Sequence, residues 1–342
     1  MPVRDVLIIG AGPSGLAAAI AAKQRGLDYL IVEKGVLVNS IFHFPTHMVY
    51  FTTPELLEIG GLPLVTPYDK PTRLESLRYY RRVVDAYGIQ ISFHEQVVDI
   101  TREQEIFVVT TAAVEPGVAQ RDGAVTRRVR EARAVVLAIG YYDIPNCLGV
   151  PGEDLPHVSH YYKEPHPYYR QRVVIVGGKN SAAEAALELF RAGAHVTLVH
   201  RRATLGDSIK YWVRPDIDNR IKEGAVAARF ETRVVEINRT SVVVESVAGG
   251  SQAAGREELP ADAVLLLTGY RPDVDLMRRA GIRCHDETLA PDLDPETFET
   301  NVPNLFIAGG AVAGRNTGSI FIENGRFHGE RIIKVLAERI KS

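Results

Sequence analysis

The sequence predicts an α/β fold built from two Rossmann-like domains, each with a small antiparallel insert. Three observations predict it. An apolar strand pattern near the N-terminus runs straight into a glycine-rich turn and a helix. The same pattern recurs half-way along the 342 residues. Each copy is followed by an alternating, partly polar stretch, then by an apolar strand ending in Gly-Tyr.

The first copy reads Val6-Leu-Ile-Ile-Gly10-Ala-Gly12-Pro13-Ser14-Gly15-Leu16. Four apolar residues make a buried strand, and Leu16 to Arg25 makes a helix that ends at Gly26. A second strand, Tyr29 to Val32, ends at Glu33. This context turns a weak glycine pattern into a dinucleotide fingerprint. Gly10 permits the tight turn, Gly12 lets backbone approach a pyrophosphate, and Gly15 lets helix and strand pack closely. The helix N-terminus offers free N–H groups and a partial positive charge to phosphates. Glu33 is placed to accept hydrogen bonds from an adenosine ribose.

The second copy opens at Arg172-Val-Val-Ile-Val-Gly177-Gly178-Lys179-Asn180-Ser181-Ala182 and aligns without a gap at an offset of 167. Gly10 falls on Gly177, Gly15 on Ala182, Gly26 on Gly193 and Val32 on Val199. Glu33 falls on His200, so the acid is replaced by His200-Arg201-Arg202. A carboxylate repels a 2′-phosphate, whereas paired guanidinium groups bind it. The first site therefore reads as FAD and the second as NADPH. Gly12 aligns with Lys179. Either the pyrophosphate sits farther out there or Lys179 itself contacts phosphate.

Length gives a prior for two domains. Apolar content of 46% and charged content of 24% are those of an ordinary globular protein. A net charge of −2 without a basic block gives no sign of nucleic-acid binding. No apolar run reaches the ~18 residues of a membrane span. The first strand is entered by Asp5, which leaves no room for a signal peptide. Two cysteines, Cys147 and Cys284, fit a cytoplasmic setting better than a disulfide scaffold. No metal-ligand spacing stands out.

Asn39 to Phe51 is aromatic, rich in donors and poor in helical period, so it reads as a wrap for a flat ring or as a packed loop. Ser40 and His47 would give its polar contacts. Arg73 to Tyr87 has helical spacing and stops at Gly88, with a solvated charged face. Ile89 to Thr111 alternates as strand and includes Val97. Residues 113–132 and 245–261 read as hairpin excursions. The strands closing at Gly140-Tyr141 and Gly269-Tyr270 mark two crossings between domains, which makes the first domain discontinuous. The expected boundaries are 1–150 with 272–342 for FAD, and 155–268 for NADPH. Asn304 to Gly310 is a further strand and turn, and Ser319 to Ile340 reads as a last helix whose N-terminus faces the flavin.

Taken together, the whole chain resembles the thioredoxin reductase-like flavoproteins. More narrowly it resembles the YpdA family of bacillithiol disulfide reductases, through Asn39-Ser-Ile41, Phe44-Pro-Thr-His47, Gly177 to Ala182 and Phe321-Ile-Glu-Asn-Gly-Arg-Phe-His-Gly329. The resemblance makes Lys179 ordinary and implies a homodimer. It implies FAD against Gly10, Gly12, Pro13, Ser14, Gly15, Glu33, Lys34, Ser40, His47, Val97, Gly140, Gly309, Gly310 and Ile320. NADPH would meet Gly178, Lys179, Asn180, Ser181, His200, Arg201 and Arg202.

Two departures accompany it. The Cys-x-x-Cys relay of thioredoxin reductases is missing, since Cys147 and Cys284 stand far apart. The bacillithiol group carries cysteine where this chain has Ser14, and a hydroxyl does not form mixed disulfides. The implied activity is an NADPH-dependent FAD oxidoreductase with no side-chain acid or base, reducing a small-molecule disulfide. A ferredoxin-type or other small redox-carrier protein is the alternative acceptor. A slow redox-sensing flavoprotein acting through a partner is a third reading.

Overall fold

The computed structural model describes residues 3–114, 126–247 and 255–341. The chain divides into two compact units. One holds Met1–Phe44, Met48–Ile144 and Tyr270–Ser342, the other Pro45–His47 and Pro145–Gly269.

In the first unit the chain runs β1 (Arg4–Ile9), α1 (Pro13–Gln24), β2 (Tyr29–Val32), α2 (Asn39–His43), α3 (Arg73–Tyr87), β3 (Ile91–Ser92), β4 (Glu95–Glu103), β5 (Ile106–Ala113), β6 (Arg127–Leu137) and β7 (Ile144–Pro145). The sheet order is β3-β2-β1-β6-β5-β4. Strand β6 serves two pairings. Its second half lies parallel to β1, while its first half pairs antiparallel with β5.

The parallel strands are covered on both faces, which is why they are continuous apolar runs. Val6, Ile8, Ile31 and Val136 turn to one core with Leu16 and Ala18 of α1. Leu7, Ile9, Val32 and Leu137 turn to the other, with Ile100, Phe107 and Val109 of the β4–β5 hairpin. Helix α1 begins with Pro13 at its first turn, a position that needs no N–H. Helix α3 starts at a capping box, in which Thr72 and Glu75 satisfy each other's backbone N–H groups. It ends at Gly88, whose φ of +54° suits glycine.

The second unit runs β8 (Val158–Ser159), β9 (Arg172–Val176), α4 (Asn180–Arg191), β10 (His195–Val199), α5 (Arg214–Lys222), β11 (Ala227–Arg229), β12 (Thr232–Ile237), β13 (Ser241–Ser246), β14 (Arg256–Pro260) and β15 (Ala263–Leu266). Its parallel sheet has the order β11-β10-β9-β15-β8, and β12, β13 and β14 form a separate three-stranded sheet. Val174, Val176, Val264 and Leu266 pack on Val234, Val242 and Val244 of that sheet. The alternate residues Val173, Ile175 and Leu265 pack on α4. The chain then returns to the first unit through β16 (Tyr270–Arg271), α6 (Val274–Arg279), β17 (Leu305–Ile307), α7 (Ile322–Gly325) and α8 (His328–Lys341). Strand β17 joins the first sheet parallel to β6.

Four sequence expectations are corrected. Asn39–Phe51 is not loop throughout, because α2 occupies its start. Ile89–Thr111 contains an additional hairpin turn, where Gln104 takes a φ of +56° between β4 and β5. The excursions are shorter than read: β6 already begins at Arg127, and β13 and β14 reach Ser246 and Arg256. Their tips, 115–125 and 248–254, lie outside the described residues. The single last helix is two. Arg326 swings out to donate to the carbonyls of Glu55 and Glu58, at 2.7 and 2.6 Å. The helix restarts at His328. Gly329 then sits against α1 so closely that a Cβ would lie 2.4 Å from the Ala18 nitrogen.

Candidate functional site

The strand ends of the first unit open into one cleft with about 1350 Å³ of space between its walls, part of it open solvent. Its floor is the first glycine turn. Gly10 takes a φ of +108°, and a Cβ there would lie 2.4 Å from the Ala138 carbonyl oxygen. A Cβ at Gly15 would lie 2.0 Å from the Gly10 carbonyl oxygen, so helix and strand meet there only through glycine. A Cβ at Gly12 would meet nothing within 4 Å, which leaves that backbone bare toward the cleft.

Glu33 directly follows β2 and is buried. Its two carboxylate oxygens accept the N–H groups of Ala11 at 2.7 Å and Gly35 at 2.8 Å. Burial raises its pKa, and those two N–H groups work against the rise. Each oxygen keeps a lone pair for a further donor. Beside it, Lys34 Nζ pairs with Asp143 at 2.9 Å. Glu95 lies on the same wall, buried, with its oxygens taken by Arg130 at 3.0 and 2.9 Å and by Thr111 and Ser92. Burial alone would raise its pKa. The guanidinium and the two hydroxyls instead bring it down to about 2.

The far wall comes from the chain's return. Ser14 Oγ donates to the Gly325 carbonyl at 3.1 Å. Gly309 leaves room for that hydroxyl, since a Cβ there would lie 2.6 Å from it. The Gly309 N–H donates to His328 Nδ1 at 3.2 Å. The His328 ring is buried and stacks on Phe298 at 4.0 Å between centroids. Burial and nearby Arg331 lower its pKa to about 4, so it is a neutral acceptor.

Of the residues read from sequence, Gly10, Gly12, Pro13, Ser14, Glu33, Lys34, Ser40, Val97, Gly140, Gly309, Gly310 and Ile320 all line this cleft. Gly15 lies beneath it, in the packing role expected. His47 is not among the residues that line the cleft; it groups with the second unit, where the neighbouring Thr46 N–H donates to the Lys163 carbonyl at 2.8 Å. Sequence reading missed Glu95, Tyr141, Asp143, Arg271 and Asp273, which also line the cleft. Arg271 and Asp273 carried a usable signal, as they follow the second Gly-Tyr.

The second glycine turn repeats the first with different chemistry. Gly178 lies under the His200 ring, where a Cβ would come within 2.2 Å of the imidazole. His200 Nε2 is buried and has no hydrogen-bond partner. Burial, then Arg202 and Arg201, lower the His200 pKa. Arg201 and Arg202 are exposed immediately after it. Asn180 is held by the following loop: its amide accepts from the Lys210 N–H at 2.8 Å and donates to the Ser208 carbonyl at 2.9 Å. Lys179 occupies the N-cap position of α4 with its side chain making no capping bond, and Ser181 is exposed in the first turn.

The profile of the pyridine nucleotide-disulphide oxidoreductase family matches residues 7–309. The chain belongs to this family. It is 42% identical over 337 residues to the bacilliredoxin reductase Bdr of Bacillus subtilis, covering 97% of each chain. The bacillithiol disulfide reductase Bdr (YpdA) of Bacillus cereus superposes with a TM-score of 0.91 at 39% identity, covering 99% of this chain and 100% of that one. A ferredoxin–NADP reductase of Ignicoccus hospitalis is 26% identical and spans 90% of each chain. Within the family the chain therefore stands with the YpdA proteins, as its motifs indicate. No helix among the described residues is long and apolar enough to cross a membrane.

Proposed function

We propose that this chain is an NADPH-dependent FAD oxidoreductase that reduces a low-molecular-weight disulfide of the bacillithiol disulfide type. The observation that carries the reading is 42% identity, over nearly the full length, to a bacilliredoxin reductase. The margin over the ferredoxin reductase, at 26%, favours a disulfide acceptor. Net turnover consumes NADPH, a proton and the disulfide, and releases NADP⁺ and two thiols.

The residues of the first unit fit FAD. The bare backbone at Gly12 and the N-terminus of α1 suit a pyrophosphate. Glu33 keeps lone pairs for ribose hydroxyls. Gly309, Gly310 and Ile320 supply a flat, largely apolar wall. When bound, a flavin accepts a hydride from reduced nicotinamide and delivers the electrons to an acceptor. The second unit fits NADPH: His200 offers an unsatisfied buried nitrogen, and Arg201 and Arg202 supply exposed positive charge. Ser14 is fastened to the Gly325 carbonyl and takes no part in thiol exchange.

The test is steady-state NADPH oxidation by the FAD-loaded protein against bacillithiol disulfide, other small disulfides, oxidised bacilliredoxin, ferredoxin, flavodoxin, quinones and oxygen. We expect the highest kcat/KM with bacillithiol disulfide. A preference for ferredoxin or flavodoxin by tenfold or more would replace the disulfide reading. Slow turnover with every acceptor would point to a sensing role instead.

A further inference from the structure

Cys147, Glu153 and His160 are separated in sequence but converge in the second unit. Each offers one ligand atom, and the three atoms lie within 4.8 Å of one another. The scaffold under them is well tied. The Asn146 N–H donates to the Gly269 carbonyl at 2.9 Å, and Thr268 Oγ1 donates to the Asn146 carbonyl at 2.6 Å. Glu153 organises the loop that follows Cys147. Its carboxylate accepts the N–H groups of Leu148 at 2.8 Å and Gly149 at 2.7 Å. That loop is pressed onto β12, since a Cβ at Gly152 would lie 1.8 Å from the Ile237 carbonyl oxygen. His160 follows β8, which is held in register against β15.

We propose that these three side chains form a binding site for a divalent ion of zinc type. Thiolate, carboxylate and imidazole are the donor set that Zn²⁺ takes, and hard ions such as Mg²⁺ avoid sulfur. His160 Nε2 stands 3.5 Å from Glu153 Oε1, close to the separation of two ligands on one ion. Ligands at about 2.0–2.3 Å in tetrahedral array lie roughly 3.3–3.8 Å apart. The set therefore needs to close by about 1 Å, a shift within reach of rotating an exposed cysteine. Cys147 is the exposed member, while Glu153 and His160 are mostly covered. The site thus opens to solvent on its sulfur side, and its fourth position is left for water or an added thiol. Each Glu153 oxygen keeps a lone pair beyond its backbone contact. A bound ion would also shield the Cys147 thiolate from exchange with disulfides.

The site is tested on the FAD-loaded full chain at neutral pH. Zn²⁺ affinity is measured by competition with a chromophoric chelator, and geometry by the d–d bands of Co²⁺ at wavelengths beyond the flavin. We expect one Zn²⁺ per chain, tetrahedral Co²⁺ bands, and affinity weaker by about tenfold or more in both Cys147→Ser and His160→Gln. Reduction of the flavin by NADPH should be unchanged in both variants. In a Cys284→Ser background, saturating Zn²⁺ should slow alkylation of Cys147, because a metal-bound thiolate is withheld from the alkylating reagent. Affinity equal in wild type and variants, or alkylation indifferent to Zn²⁺, would overturn the proposal.

Discussion

The two glycine turns share a frame and differ at the residue that closes it. Helices α1 and α4 are both 12 residues long and begin 167 positions apart. The Gly10 N–H donates to the Val32 carbonyl, and the Gly177 N–H to the Val199 carbonyl. The Ala138 N–H donates to Ile9, and the Leu267 N–H to Val176. These contacts involve only backbone, so any sequence with the right glycines and apolar runs forms them. Ligand choice is left to side chains. In the first copy Glu33 is bolted to the turn by two N–H groups. In the second, His200 lies over the turn with an unsatisfied nitrogen and two arginines beside it. An acid that builds its own loop is hard to exchange, whereas an imidazole flanked by exposed arginines holds no loop together and tolerates change.

The largest effect expected from this contrast is at Gly15. Its counterpart is Ala182, which is buried and accommodated. Gly15→Ala would drive a methyl to 2.0 Å from a carbonyl oxygen and should destabilise by about 3 kcal/mol. Ala182→Gly should cost only about 0.5–1 kcal/mol. Urea unfolding of the two variants compares them directly. Equal losses would show that the two turns are packed alike after all.

Acid comes next. Glu95 donates its N–H to the Glu33 carbonyl at the place where the second copy has Thr232 donating to His200. With its pKa held at about 2, Glu95 binds fewer protons folded than unfolded below pH ~4.5. Its stabilisation is complete above that pH and is lost as the pH falls toward 2, by on the order of 2–3 kcal/mol. Glu95→Gln should be less stable at neutral pH and should flatten the acid limb of stability against pH, whereas Thr232→Val should leave the limb's shape alone. An unchanged limb in Glu95→Gln would show that other carboxylates govern it.

Glu33→Gln should be milder. It removes one acceptor from a buried pair of N–H groups, worth about 1–2 kcal/mol. We expect FAD retention on gel filtration to fall while His200→Gln retains flavin fully. Full flavin retention by Glu33→Gln would show that the carboxylate is not needed at the first turn.

The same contrast explains what was legible in the sequence. Strand, turn, helix and strand are local, and the ungapped repeat made them readable from Val6 to Glu33 and from Arg172 to His200. Gly10 and Gly15 followed because each meets a steric demand of the turn, whereas Gly12 followed from the pattern alone. What escaped was set by distant contacts. The last helix is interrupted between Gly325 and His328, where the Arg326 side chain is tied to carbonyls near residue 55, a contact no helical periodicity encodes. Glu95 is held at the cleft by Arg130 and Thr111, which are remote from it in sequence. His47 sits beside genuine cleft residues in sequence, yet the chain turns away after Phe44. Cys147 looked isolated because its neighbours Glu153 and His160 come from a loop and a strand end with no repeat spacing.

The smallest effect should come from the arginines, to which the proposed reading gives the choice of nucleotide. Arg201 and Arg202 occupy the position next to His200 where the first copy has Lys34 and Gly35 after its acid. Both are exposed, so water and salt weaken whatever they bind. A charge-assisted hydrogen bond to phosphate is worth roughly 1.5–3 kcal/mol, and screening pulls an exposed one toward the lower end. That corresponds to about a tenfold change in affinity at 1.4 kcal/mol per decade. The 2′-phosphate is the only group that separates NADPH from NADH, so the loss should be selective. In Arg201→Ala and Arg202→Ala, KM for NADPH should rise by about tenfold, KM for NADH should hardly move, and kcat should hold for both. The effect should also shrink as salt is added, because the lost contact is electrostatic. Equal rises for the two nucleotides would place the arginines on a group common to both. No rise for either would move the phosphate elsewhere and leave Lys179 as the next cation to vary.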